Sequence, residues 1–134
     1  MLRPAAVAGM ACALIAPATA QDWDCTKADD LPQQGMNWCA MRDYEAADRA
    51  LNEAWPKIRA RMKEVDSWQE DRLKGAEAAL LKSQRAWIDY RDGQCEVEGF
   101  YARGGTLEPL IVSGCLARMT RKRTEELLLL MEEN

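Results

Sequence analysis

Four cysteines restrict this chain more than any other feature. Cys25 and Cys39 lie fourteen positions apart, and Cys95 and Cys115 lie twenty apart. A fifth, Cys12, falls in a leader that is expected to be removed. An even number of cysteines in a small exported chain argues for disulfides. Three pairings exist. Cys25–Cys39 with Cys95–Cys115 is favoured, because each closes a short loop that local structure can bring together. Loops of that size stabilise by roughly 3 kcal/mol in the chain-entropy picture. Zinc is the competing use of four cysteines. No Cys-x-x-Cys knuckle is present and the chain has no histidine, which argues against it.

The leader is read from residues 1–20. Arg3 supplies a positive start, Pro4 to Pro17 is small and apolar, and Ala18-Thr19-Ala20 is a small-x-small cleavage site. This is the pattern of a secretory signal peptide. The apolar run falls short of the ~20 residues a membrane span needs. Residues 21–134 are then expected to form a single domain, periplasmic or secreted. Without Arg3 that part holds 17 basic and 22 acidic residues, a net charge of −5. An acidic surface disfavours nucleic acid and favours encounter with a basic partner.

Ala, Leu, Glu, Arg, Lys and Met dominate, whereas β-formers are sparse. The expected fold is all-α: an elongated antiparallel three-helix bundle stapled by two disulfides. Residues 21–35 read as an irregular segment, with the first helix starting near Met36 or Asn37. Tyr44, Ala47, Leu51, Trp55, Ile58, Met62 and Val65 form its buried stripe. Pro56 must kink or split that helix, and the unbroken phase of the stripe favours a continuous, bent one. The second helix is expected from about Trp68 to Phe100, with Asp66 or Ser67 as N-cap and Leu73, Ala76, Leu80, Trp87 and Cys95 facing inward. Gly104-Gly105 ends the connection. Thr106 then caps a third helix with Pro109 in its first turn and Leu110, Gly114, Cys115, Met119, Leu127 and Leu130 on its apolar side. The run Leu127 to Met131 is apolar all round; such an end either packs on both sides or offers a homodimer contact.

Gln84, Trp87, Arg91 and Cys95 share one helix face through steps of three, four and four. Asp48, Asn52, Gln84, Arg91, Thr120 and Arg123 lie on or beside the apolar stripes of three helices. They read as an interhelical polar network, with Asp48 pairing an arginine; a ligand site between helices is the alternative. Catalysis finds little support. There is no histidine to act as base near neutral pH, no free thiol is expected, and the serines lie in no nucleophile-elbow context. No cofactor or metal is expected. The connection Gly99-Phe100-Tyr101-Ala102-Arg103-Gly104-Gly105 is the candidate recognition loop, since Phe100, Tyr101 and Arg103 are residue types enriched in binding hot spots.

An ordered set of motifs gives a more specific reading. Cys39 is followed by Ala47-Asp48-Arg49-Ala50-Leu51-Asn52, then by Gln84-x-x-Trp87-x-x-x-Arg91-x-x-x-Cys95. Gly104-Gly105-Thr106, Cys115 and Thr120-x-x-Arg123 complete it. The set resembles the LprI-type lysozyme inhibitor domain over about Cys25 to Leu130. Trp55 departs from the tyrosine usual at its position. The resemblance implies a disulfide-linked helical fold and a non-catalytic binding protein directed at a basic lysozyme. The alternative is a structural or envelope-stress interaction protein with no effect on lysozyme.

Overall fold

The computed structural model describes residues 22–132. Three long helices account for most of them: α1 (Gln33–Ser67), α2 (Ala76–Gly99) and α3 (Glu108–Leu129), with short 3₁₀ turns at Cys25–Asp30, Asp71–Leu73 and Phe100–Ala102. No strand occurs among the described residues. Both favoured disulfides are present, Cys25–Cys39 and Cys95–Cys115, each with Cα atoms 5.5 Å apart. The expected leader lies outside the described residues, and no described helix is long and apolar enough to cross a membrane.

Cross-helix contacts fix the directions. Arg59 meets Glu77, and Arg91 lies over Tyr44, so α2 runs antiparallel to α1. Arg123 meets Gln84, and Arg118 meets Glu98, so α3 runs antiparallel to α2. The first and last helices are therefore parallel, and theirs is the most extensive contact in the molecule. Small buried residues on α3 allow it. Ser113, Ala117 and Thr120 are all but inaccessible and precede Leu127 in steps of four, three and seven. Ala47, Leu51 and Ile58 answer them on α1, and Leu80 of α2 closes the apolar cluster. Repeats of that kind bring helices close along one seam.

Several boundaries differ from expectation. The first helix starts at Gln33, directly after Pro32, and includes Gly35, which acts as a contact surface for Trp23. A Cβ on Gly35 would come within 2.9 Å of that indole. α1 continues through Pro56. Pro56 and Asn52 both face solvent, so water can serve the Asn52 carbonyl that the missing N–H leaves free. Trp68 ends α1 and does not begin α2, and Leu73 is exposed in the connection. Asp66 does cap α2, but across that connection. Its carboxylate accepts the backbone N–H groups of Gly75, Ala76 and Glu77 at 2.7, 2.8 and 3.1 Å. The Gly75 bond, then those of Ala76 and Glu77, hold the Asp66 carboxyl below its usual range. Thr106 caps nothing; α3 starts after Leu107 without a side-chain cap. Gly114 lies on the exposed face, one position away from the buried Ser113 and Cys115.

Candidate functional site

The expected inward face of α2 is real, and it is aromatic and cationic in its middle. Arg91 is only 8% exposed. Its Nε and Nη2 donate to one Asp92 oxygen at 2.8 Å, and Nη1 reaches the Thr120 hydroxyl at 3.5 Å. The guanidinium lies 5.1 Å from the Trp87 ring centre and 5.6 Å from that of Tyr44. Arg123 approaches Trp87 as well, at 5.8 Å, while its Nε donates to Gln84 Oε1 at 3.1 Å and its Nη2 to Ser83 Oγ at 2.8 Å. The order Tyr44, Arg91, Trp87, Arg123 thus interleaves rings and cations across all three helices. Such contacts are each worth about 0.5–2 kcal/mol, more as they lose water. Burial is the main reason the Tyr44 phenol titrates above its usual range; the nearby Arg91 charge partly opposes this.

Four of the six expected polar residues, Gln84, Arg91, Thr120 and Arg123, form the α2–α3 part of this arrangement. Asp48 and Asn52 stand apart. The Asn52 amide donates to Asp48 at 2.8 Å, one turn away on α1, and among the described residues no arginine pairs with Asp48. Asp48, Asn52 and Trp55 of α1 instead line a groove of about 310 Å³ between α1 and α2, with Gln84, Trp87 and Arg91 of α2 across it. Trp55 packs against the core, as its place in the stripe predicts, and also lines this groove; that second share depends on how far α1 and α2 stand apart, which periodicity does not report.

The α2–α3 connection is held from several sides. The chain turns through a 3₁₀ segment and a left-handed Gly104 at φ +77°. Glu108, in the first turn of α3, accepts the Gly104 N–H at 2.7 Å and Arg103 Nη1 at 3.0 Å. The Arg103 guanidinium also lies 4.6 Å from the Phe100 ring centre. Asn37 of α1 donates to the Thr106 carbonyl at 2.9 Å, and the Cys95–Cys115 disulfide lies one turn inward. Tyr101 alone has no such engagement and is 93% exposed. Val97, one turn earlier on the same side, and Phe100 are exposed too. Arg103 is therefore partly committed within the loop, whereas Tyr101 projects from a braced turn. Sequence reasoning missed the holding role of Glu108, although a carboxylate at a helix start just after two glycines is the signal for it.

Residues 25–127 match the sequence model of the family described as Lysozyme inhibitor LprI, which is nearly the whole described chain. The chain belongs to the LprI family. Among LprI relatives, an uncharacterized protein of Rhizobium meliloti (strain 1021), R02472, is 53% identical over 122 residues, covering 87% of this chain and 86% of its own. The uncharacterized protein YecT of Escherichia coli K12 is 31% identical over 76 residues, 56% of this chain and 47% of YecT. A crystal structure of a DUF1311 family protein from Pseudomonas putida KT2440 superposes with a TM-score of 0.61. It is 25% identical, and the match covers 78% of this chain and 98% of that one.

Proposed function

We propose that this LprI-family chain is an exported, non-catalytic protein that binds a basic lysozyme one-to-one and blocks it. The observation that carries this reading is the family match across residues 25–127. Net acidity supports it, since long-range attraction raises the rate of encounter with a cationic enzyme. The α2–α3 connection is its contact surface: Tyr101, Phe100 and Val97 supply exposed apolar area, and Arg103 a cation at the edge. The loop is already ordered by Glu108 and the disulfide, which lowers the entropy lost on binding. The four polar residues gathered around Trp87 (Gln84, Arg91, Thr120 and Arg123) act structurally, fixing the register of the helices. The chain works outside the cytoplasm, where its disulfides persist.

The test mixes the purified, oxidised protein with a c-type lysozyme and follows cell-wall lysis against protein concentration. Saturating inhibition near one-to-one, weakened by salt, is the expected result. Absence of both inhibition and a complex at low salt overturns the reading. Tyr101→Ala should weaken the complex more than Arg103→Ala, because Arg103 must leave Glu108 to engage a partner.

One observation favours a second reading. Leu128, Leu129 and Met131 are exposed at the end of α3, at the same end of the bundle as the exposed Trp68. An envelope interaction protein that self-associates through α3 would use them. Sedimentation that stays monomeric at high concentration would dispose of the homodimer.

A further inference from the structure

The groove between α1 and α2 is the least closed seam of the bundle, since α2 leans on α3 and meets α1 more sparsely. Its volume of about 310 Å³ sits at the lower end of small-ligand sites, roughly 300–1,000 Å³. Its lining is chemically mixed in a regular way. Asp48 is an acceptor whose Oδ2 is already oriented by Asn52. Gln84 lines the groove and spends its Oε1 on Arg123 from the α3 side, which leaves its amide nitrogen as the donor for a groove ligand. Arg85 stands at the rim with no partner among the described residues. Trp55 offers a half-buried indole, and Leu51, Leu81 and Ile88 complete the apolar part.

These groups exclude several ligand classes. A cation would meet Arg85 and Arg91. A purely apolar ligand would strip water from Asp48 and Gln84 without replacing its hydrogen bonds, which opposes binding. A compact ligand bearing adjacent donors and acceptors around a ring with an apolar C–H face satisfies all of them. We propose that the α1–α2 groove is a binding site for a neutral pyranose saccharide of one or two rings. Ring hydroxyls donate to Asp48 and accept from Gln84 and Arg85, and the C–H face lies on Trp55. This site is on a different face from the α2–α3 connection and does not depend on the lysozyme reading.

The test follows the indole N–H signals of the protein by ¹H–¹⁵N NMR. The probes are N-acetylglucosamine, its β-1,4-linked dimer and maltose, each added separately. At least one should produce saturable shifts of the Trp55 and Trp87 indoles, with Kd of about 1 mM. The indoles of Trp23, Trp38 and Trp68 should stay unmoved. Asp48→Asn keeps the shape of the site while removing its charged acceptor, and should weaken binding about fivefold or more. Arg85→Ala, at an exposed position with no partner to lose, should weaken it without lowering Tm. The proposal is overturned if none of the three probes gives saturable shifts. It also fails if the shifts fall on the other tryptophans, or if neither substitution changes Kd.

Discussion

The two ends of α2 are fastened by different chemistry. At its start one side chain, Asp66, reaches across an exposed connection and takes three backbone N–H groups. At its finish a covalent bridge, Cys95–Cys115, ties the helix to α3, with Glu108 and a closely packed Gly99 beside it. The first fastening depends on protonation and opens in acid. The bridge at the other end depends on redox state and holds whatever the protonation of the carboxylates beside it. The connections also differ in what they carry: the covalent end displays Tyr101, whereas the carboxylate end joins two helices through a mainly charged segment in which Trp68 and Leu73 are exposed.

Breaking the covalent end should have the largest effect. Replacing Cys95 and Cys115 together by serine should lower unfolding free energy by about 3 kcal/mol, as urea titration would measure. A change below a few tenths would show that packing alone holds that end. Between the two ends, Arg91→Ala removes a buried guanidinium with its Asp92 and Thr120 bonds and its two ring contacts. It should cost about 2 kcal/mol with unfolding still cooperative. An unchanged Tm would refute a structural role for the polar residues around Trp87.

Gly99→Ala probes the packing beside the disulfide. A Cβ there would meet Val112 Cγ2 at 2.6 Å. Overpacking costs about 2 kcal/mol, and the better helix propensity of alanine returns about 1, so a net loss near 1 kcal/mol is expected from calorimetry. A stabilised variant would mean that Val112 moves aside freely.

The carboxylate end should respond least at neutral pH, and with a distinct pH signature. Asp66→Ala should lower Tm by a few degrees. Because the folded carboxyl titrates below its ordinary value of 3.8, its contribution is present above that value. It is lost as pH falls through the lower, folded pKa. The wild-type protein should therefore lose its advantage over Asp66→Ala in strong acid, and Tm curves for the two should converge there. Curves that stay parallel would remove the carboxylate from the account.

Much of this was legible in the sequence because large apolar residues and cysteines announce themselves. The stripe from Ala47 to Met62 and both disulfide pairs occupy the places their spacing indicated. What escaped was carried by small residues and by contacts distant along the chain. Gly35 looks like a breaker until Trp23 is seen lying on it. Ser113 and Ala117 have no hydrophobic bulk to mark them as buried. Asp66 resembles a local cap, yet its partners lie nine to eleven residues away. The polar set was found as a set, but its division was not: Asp48 and Asn52 belong to the groove, the other four to the helix seam around Trp87. Residue type reports that a polar group will need a partner; only the spacing between helices decides which one.

The parallel pairing of α1 with α3 has a consequence for how the chain reaches this state. Its most extensive contact joins the segments farthest apart in sequence, so a chain emerging N-terminus first cannot form it until α3 has arrived. Helical proteins fold fast when their contacts are local; this one carries the loop-closure delay of a higher contact order. An incomplete chain lacks its principal interface and stays open. Until α3 is present, the faces of α1 that it will cover stay open to water.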